Sequence, residues 1–191
     1  MALMKNVMLI IEYDGTNYSG WQRQNNAMTI QQRLEEAIKK ITGNFSEVIG
    51  ASRTDAGVHA RGFVCNFFTN SKMPSPNFKI ALNGVLPKDI VVLNAREVDN
   101  SFHSRFHSLG KKYVYTIVTG NNRPAIGRQY VYYFRRKLDI VKMKSACKYF
   151  IGTYDFSAFK KKGSSAKSSV RTVKELTIVQ EDNLIKFSIV G

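Results

Sequence analysis

The sequence predicts an α+β protein with a mostly antiparallel sheet and helices on one side of it. Three observations predict this. Short apolar runs of strand length, several with alternating polarity, recur along the whole chain, while only three stretches carry apolar residues at helical spacing. Strands also follow one another in pairs instead of alternating strictly with helices, which argues against a parallel α/β sheet. The order reads β-α-β-β-α-β followed by β-β-α-β-β, two halves without a sequence repeat strong enough to prove duplication.

Val7 to Tyr13 is a buried strand that stops at the turn pair Asp14-Gly15. Thr29 opens Thr-x-x-Gln, a capping box with Gln32, and Ile30, Leu34, Ala37, Ile38 and Ile41 repeat at helical spacing until Gly43. Glu47 to Ala51 and Gly62 to Phe68 are short strands flanking a polar connection. Pro76 to Asn83 is a short helix and Ile90 to Val98 a strand. Lys112 to Thr119 alternates Tyr113, Tyr115 and Ile117 against Val114, Thr116 and Val118, and Tyr130 to Phe134 adds a strand. Asp139 caps a helix with Ile140, Met143, Ala146, Cys147 and Phe150 on one face, ending near Gly152. Val173 to Val179 and Leu184 to Val190 form a hairpin around Glu181-Asp182-Asn183.

A composition of 43% hydrophobic and 23% charged residues excludes disorder as the main state. A chain of 191 residues buries roughly 70% of the surface its unfolded form exposes, enough for one large domain or two small ones. Cys65 and Cys147 are too few for a disulfide framework and lack metal or redox spacing, so both read as buried thiols. The run Val7 to Ile11 is shorter than a signal-peptide core and far short of a membrane span, so a cytoplasmic protein with no membrane association is expected.

The 29 Lys and Arg against 14 Asp and Glu give a formal charge of +15, which points to a polyanionic partner, nucleic acid first. The charge is clustered at Lys39-Lys40, Lys111-Lys112, Arg135-Arg136-Lys137 and Lys160-Lys161-Lys162. Any one of these is equally readable as a solvated face. Phosphate-loop, dinucleotide, nucleophile-elbow and zinc-protease motifs are all missing. His103 and His107 lie four apart with no third ligand nearby, so no metal is expected.

What remains is Ser52-Arg53-Thr54-Asp55-Ala56-Gly57-Val58-His59-Ala60, set between two apolar strands. Polar residues with a glycine between strands make a turn, and that is one reading. The other is that Asp55, two residues from Arg53, is a carboxylate kept ionised by the neighbouring cation and usable as a nucleophile.

Three stretches carry a resemblance. Glu12-Tyr13-Asp14-Gly15-Thr16-Asn17-Tyr18-Ser19-Gly20-Trp21-Gln22-Arg23-Gln24, then Arg53-Thr54-Asp55-Ala56-Gly57-Val58-His59, then Phe102-His103-Ser104-Arg105-Phe106 leading into Lys111-Lys112-Tyr113-Val114-Tyr115, resemble the successive motifs of the TruA family of tRNA pseudouridine synthases. Leu82 to Pro87 and Asp155 to Phe159 are similar to the family's linking segments. The resemblance implies a pseudouridine synthase fold of two ferredoxin-like halves, 1–105 and 106–191, the first bearing the aspartate loop. It implies an isomerase that converts uridine to pseudouridine in the anticodon stem-loop of tRNA, without metal or small-molecule cofactor, as a homodimer.

By the same resemblance Asp55 is the catalytic nucleophile, attacking the flipped-out nucleotide at base or ribose, and Tyr113 packs against the target base. Arg53 fills space in the RNA, and His59 contacts RNA or shapes the loop. With Arg105, Lys111, Lys160, Lys161 and Lys162 they make the expected RNA-binding set. Extruding a base costs a few kcal/mol, which basic backbone contacts offset.

Two positions depart from the family pattern. Ser52 stands for a glycine, which is tolerable where the backbone avoids positive φ, and Ser104 stands for a small apolar residue. The family also continues beyond Val190-Gly191 into a motif whose arginine pairs with the aspartate. The second half is therefore expected to be incomplete and Asp55, expected to be partly buried, to lack that partner, with Arg53 or Arg105 as substitutes. The alternative function is a catalytically inactive RNA-binding fragment or relic of such an enzyme.

Overall fold

The computed structural model describes residues 4–160 and 168–191. The chain separates into two units, Met1–Ser108 and Leu109–Gly191.

The first unit runs β1 (Lys5–Tyr13), α1 (Ile30–Thr42), β2 (Ile49–Gly50), β3 (Ala60–Thr69), α2 (Asn77–Asn83) and β4 (Ile90–Val98), in the predicted β-α-β-β-α-β order. Its sheet is ordered β2-β3-β1-β4 with antiparallel neighbours throughout, the ferredoxin-like arrangement. Period-two alternation decides which side of β1 is buried against the helices. Val7, Leu9, Ile11 and Tyr13 point to one face, opposite Phe67, Cys65 and Phe63 of β3, and Ile30, Leu34, Ala37 and Ile38 of α1 with Phe78 and Leu82 of α2 close over them.

In β4 the alternation slips: Ile90 and Val92 are buried, then Ala95. The pairing register with β1 shifts between Ile10 and Ile11, a bulge that turns Leu93 outward. The Asn83 amide at the end of α2 satisfies both backbone groups of Val92, accepting from its N–H at 2.8 Å and donating to its carbonyl at 2.9 Å. At the start of α1 the Thr29 hydroxyl accepts from Gln32 N–H, but the return half of the capping box is not made, because the Gln32 side chain bonds to Glu36. Gly43 ends the helix in the left-handed region.

Both helices of this unit pack on one face of its sheet. Asn6 and Asn66 are fully buried on the opposite face, beneath the connection that follows β4.

The second unit contains β5 (Lys112–Thr119), β6 (Tyr132–Phe134), α3 (Ile140–Cys147), β7 (Gly152–Asp155), β8 (Val170–Val173), β9 (Glu175–Glu181) and β10 (Leu184–Val190). One sheet is ordered β6-β5-β10-β9, with β5 and β6 parallel, and β7 pairs with β8 as a separate two-stranded ribbon. Its core gathers Cys147, Ile178 and Ile185 with Ile117, Leu138, Ile140, Met143, Leu176 and Phe187.

Several predicted elements change here. The ribbon β7–β8 was not predicted, and the strand expected from Val173 is two strands in two sheets, parted at Lys174. The helix expected to reach Gly152 stops at Cys147, and Tyr149 and Phe150 close tighter three-residue turns onto Ala146 and Cys147. The strand expected over 130–134 is confined to the three-residue β6, and Tyr130 belongs instead to a short 3-10 turn, Arg128–Tyr130. In the first unit, the strand expected over 47–51 shrinks to Ile49–Gly50. Both cysteines are buried and unpaired.

Candidate active site

The loop 52–59 rests on the chain that leaves β1, so the first two motifs quoted above meet in space. The Trp21 backbone N–H donates to the Thr54 carbonyl at 3.0 Å, the Tyr13 hydroxyl bonds the Thr54 hydroxyl at 3.0 Å, and Gly57 N–H donates to the Tyr18 carbonyl at 3.2 Å. Val58 N–H closes a turn onto the Asp55 carbonyl at 3.2 Å. The nucleophile candidate thus sits on a backbone held on both sides.

This approach needs residues without side chains. A Cβ at Gly20, whose φ is +86°, would lie 2.4 Å from the Thr54 carbonyl oxygen. One at Gly15 would lie 2.1 Å from the Val58 carbonyl oxygen, and one at Gly50 would lie 2.5 Å from the Trp21 ring. Trp21 fills the space beneath, its ring centroid 4.3 Å from Phe63 and 6.4 Å from Tyr13. Ser52 keeps to negative φ: Asp182 is the one non-glycine residue at positive φ among those described.

Asp55 itself is exposed, which corrects the expectation of partial burial. Among the described residues neither Arg53 nor Arg105 forms an ion pair with it, so neither takes the place of the family arginine. Both arginines are exposed. The loop therefore presents a carboxylate outward from a fixed backbone, available to an external electrophile.

His59 lies at the far end of the loop. Its Nδ1 is 3.0 Å from Asp14 Oδ1 and 3.1 Å from Gly15 N, and Asp14 Oδ1 also accepts from Thr16 N–H and the Thr16 hydroxyl. This ties the loop to the Asp14-Gly15 turn. Tyr18 donates its hydroxyl to Asp89 at 2.7 Å, anchoring the same turn to the start of β4. Burial pushes the Tyr13 hydroxyl up to about 12, and burial together with the Asp89 bond pushes Tyr18 up further, so neither phenol is an acid or base near neutral pH. Burial alone raises the Cys65 thiol and leaves it inert.

A buried acid that the sequence reading placed on no site completes the bed. Glu35 of α1 accepts from Arg23 Nη1 at 2.7 Å, from the Gln31 amide at 3.0 Å and from Val48 N–H at 3.2 Å, while Gln31 also receives Arg23 N–H. These bonds fix the chain just after Trp21. The signal was available: Gln31 and Glu35 stand one turn apart beside the apolar positions of α1.

Of the other expected site residues, Tyr113 is 58% exposed on β5, with Tyr115 two places along on the same sheet face. Lys111 is half-buried just before β5, its backbone paired with Gly191, and Lys160 is exposed. Lys161 and Lys162 lie outside the described residues. His103 and His107 accept backbone N–H bonds, and no three His, Cys, Asp or Glu side chains among the described residues converge as metal ligands.

The family described as tRNA pseudouridine synthase matches residues 9–107 and 146–191. The chain is 73% identical over 188 residues to the tRNA pseudouridine synthase A of Clostridium kluyveri, covering 98% of this chain and 77% of that one. It is 53% identical to the tRNA pseudouridine synthase A 2 of Clostridium perfringens, over 96% of this chain and 75% of that one. It is 52% identical to the tRNA pseudouridine synthase A of Acetivibrio thermocellus, over 98% and 77%. No helix among the described residues is long and apolar enough to cross a membrane. The chain belongs to the tRNA pseudouridine synthase family.

Proposed function

We propose that this chain isomerises uridine to pseudouridine in tRNA, within the anticodon stem-loop, with Asp55 as nucleophile. The observation that carries the reading is the Asp55 loop: an outward carboxylate on a backbone pinned to Tyr13, Tyr18 and Trp21 of a second motif. The family match covers those residues.

The chemistry follows from one displacement and its reversal. A carboxylate oxygen of Asp55 bonds to the nucleotide, the N-glycosidic bond breaks, and uracil turns so that C5 bonds to the sugar carbon as the aspartate leaves. The C5 proton is lost to solvent and N1 gains one, so product and substrate are isomers and no oxidant or metal enters the balance. Attack at ribose or at base gives this same sum. Tyr113 supplies an aromatic face for the extruded base, and Arg53, His59, Arg105, Lys111 and Lys160 contact RNA. The family resemblance further supports a cytoplasmic homodimer, which sedimentation of the purified chain tests.

The test is tritium release from a tRNA transcript labelled at uracil C5, comparing the chain with Asp55→Ala. Release that vanishes in the variant while tRNA binding persists supports the proposal. A folded wild-type chain that binds tRNA and releases no label would instead be the RNA-binding protein without catalysis.

A further inference from the structure

The connection after β4 is held by more buried polar structure than a plain linker requires. Asn66, fully buried, donates its amide to Asn6 Oδ1 at 2.9 Å and accepts Ser104 N–H at 3.0 Å. The Asn6 amide in turn donates to the carbonyls of Asp99 and Phe102, and the Ser104 hydroxyl donates to the Ile49 carbonyl at 2.6 Å. Each amide is satisfied at both ends, so the segment is locked in register on the face of the first sheet away from α1 and α2.

What the lock presents is an aromatic pair with a cation. The His103 ring stacks on Phe106 with centroids 4.2 Å apart and planes 30° apart, and Phe106 is 75% exposed. His103 Nδ1 accepts the N–H groups of Arg105 and Phe106 at 3.2 and 3.4 Å, which holds the imidazole beneath the phenyl ring. Arg105, adjacent, is exposed. Ser104 grips Ile49, the residue before Gly50, on the strand that feeds the Asp55 loop.

We propose that Phe106, backed by His103 and flanked by Arg105, is a stacking platform for an unpaired base of the RNA substrate, with Arg105 on the neighbouring phosphate. This rests on the tRNA reading above and adds to it a base contact outside the Asp55 loop. A two-ring stack offering its outer face to solvent beside a guanidinium matches the chemistry of single-stranded RNA, whose bases stack on any aromatic face. The formal charge of +15 favours a polyanion over an apolar protein partner.

The experiment measures the affinity of the full chain for a tRNA transcript, with C5 tritium release in parallel, for wild type, Phe106→Leu, Phe106→Trp and Arg105→Ala. Because these side chains are exposed, unchanged thermal unfolding verifies the fold. Phe106→Leu, which keeps apolar bulk and loses the ring, is expected to weaken binding about tenfold and Phe106→Trp to restore it. Arg105→Ala is expected to lower the salt dependence of log affinity by about one unit. Phe106→Leu binding as wild type, or Leu and Trp weakening binding alike, overturns the inference while wild-type tritium release leaves the catalytic reading standing. A change in oligomeric state with RNA affinity intact overturns it in favour of a protein contact. A wild-type chain that neither binds tRNA nor releases label removes both readings.

Discussion

Gly15→Ala separates placement of the Asp55 loop from stability. A Cβ there would sit 2.1 Å from the Val58 carbonyl oxygen and 2.7 Å from its carbon, both backbone atoms with no flexible end to swing aside. Gly15 is not at positive φ, so the added methyl brings a collision and no conformational strain. Restoring ordinary contact requires the loop to move by about 1 Å, a shift of the size that costs on the order of 100-fold in rate when it displaces a reacting group. Val58 N–H is bonded to the Asp55 carbonyl, so the displacement reaches the nucleophile directly. Overpacking of this kind costs about 1–3 kcal/mol of stability. The matched control is Gly43→Ala at the end of α1, where φ is +79° and nothing lies within 4 Å. It costs about 1 kcal/mol through backbone strain alone and leaves turnover unchanged. Tritium release under saturating and limiting tRNA, with thermal unfolding beside it, reads all of these quantities. Gly15→Ala turning over like wild type, or losing activity wholly through KM, would refute the claim that this contact places Asp55.

Three further outcomes follow from the bed beneath the loop. Tyr13→Phe removes the bond to Thr54 and lowers stability by about 1 kcal/mol at neutral pH, read by urea unfolding. The same phenol ionises near 10 in the unfolded chain and near 12 in the folded one, so unfolding releases a proton above pH 10. Stability falls as pH rises through that window, and Tyr13→Phe flattens that part of the unfolding profile. Arg23→Ala strips the cation from Glu35, whose side chain is 2% exposed, and costs about 3 kcal/mol, against at most about 1 kcal/mol for Arg33→Ala at the exposed Glu36 pair.

The first half of the fold was legible because it packs around one large, continuous apolar core. Val7 to Ile11 is an unbroken apolar run of strand length and Ile30, Leu34, Ala37 and Ile38 follow the helical period, and both signals survive because a single continuous core faces both elements. The second half reads poorly because it lacks a comparable core among the described residues. The described core of that unit is small, and the strands of the β7–β8 ribbon are exposed or half-buried along their length, so hydrophobic alternation has nothing to record there. Its pairing rests on local polar contacts such as the 2.8 Å bond between Thr153 and Thr172, which leave no periodic trace. The slip in β4 was hidden because the extra residue, Leu93, is as apolar as Val91 and Val92 before it.

The candidate site shows a different division. The chemistry-bearing residue stood out in the Arg53-Thr54-Asp55 triplet, but the means of holding it did not, since Gly15, Gly20 and Gly50 act through what they lack. Sequence spacing cannot show that a glycine on one loop is opposite a carbonyl on another. An exposed carboxylate with no ion pair among the described residues can be aimed in only two ways, through its own contacts or through its backbone. The structure supplies the second, with Thr54 bonded at both carbonyl and hydroxyl and Asp55 closed by Val58. Losing any single one of these neutral bonds is worth only about 1 kcal/mol, whereas a backbone collision shifts the whole loop. Substitutions at Gly15 and Gly20, whose added Cβ atoms meet loop carbonyls, should therefore reduce turnover more than substitutions that delete the hydrogen bonds, even where both lower stability alike.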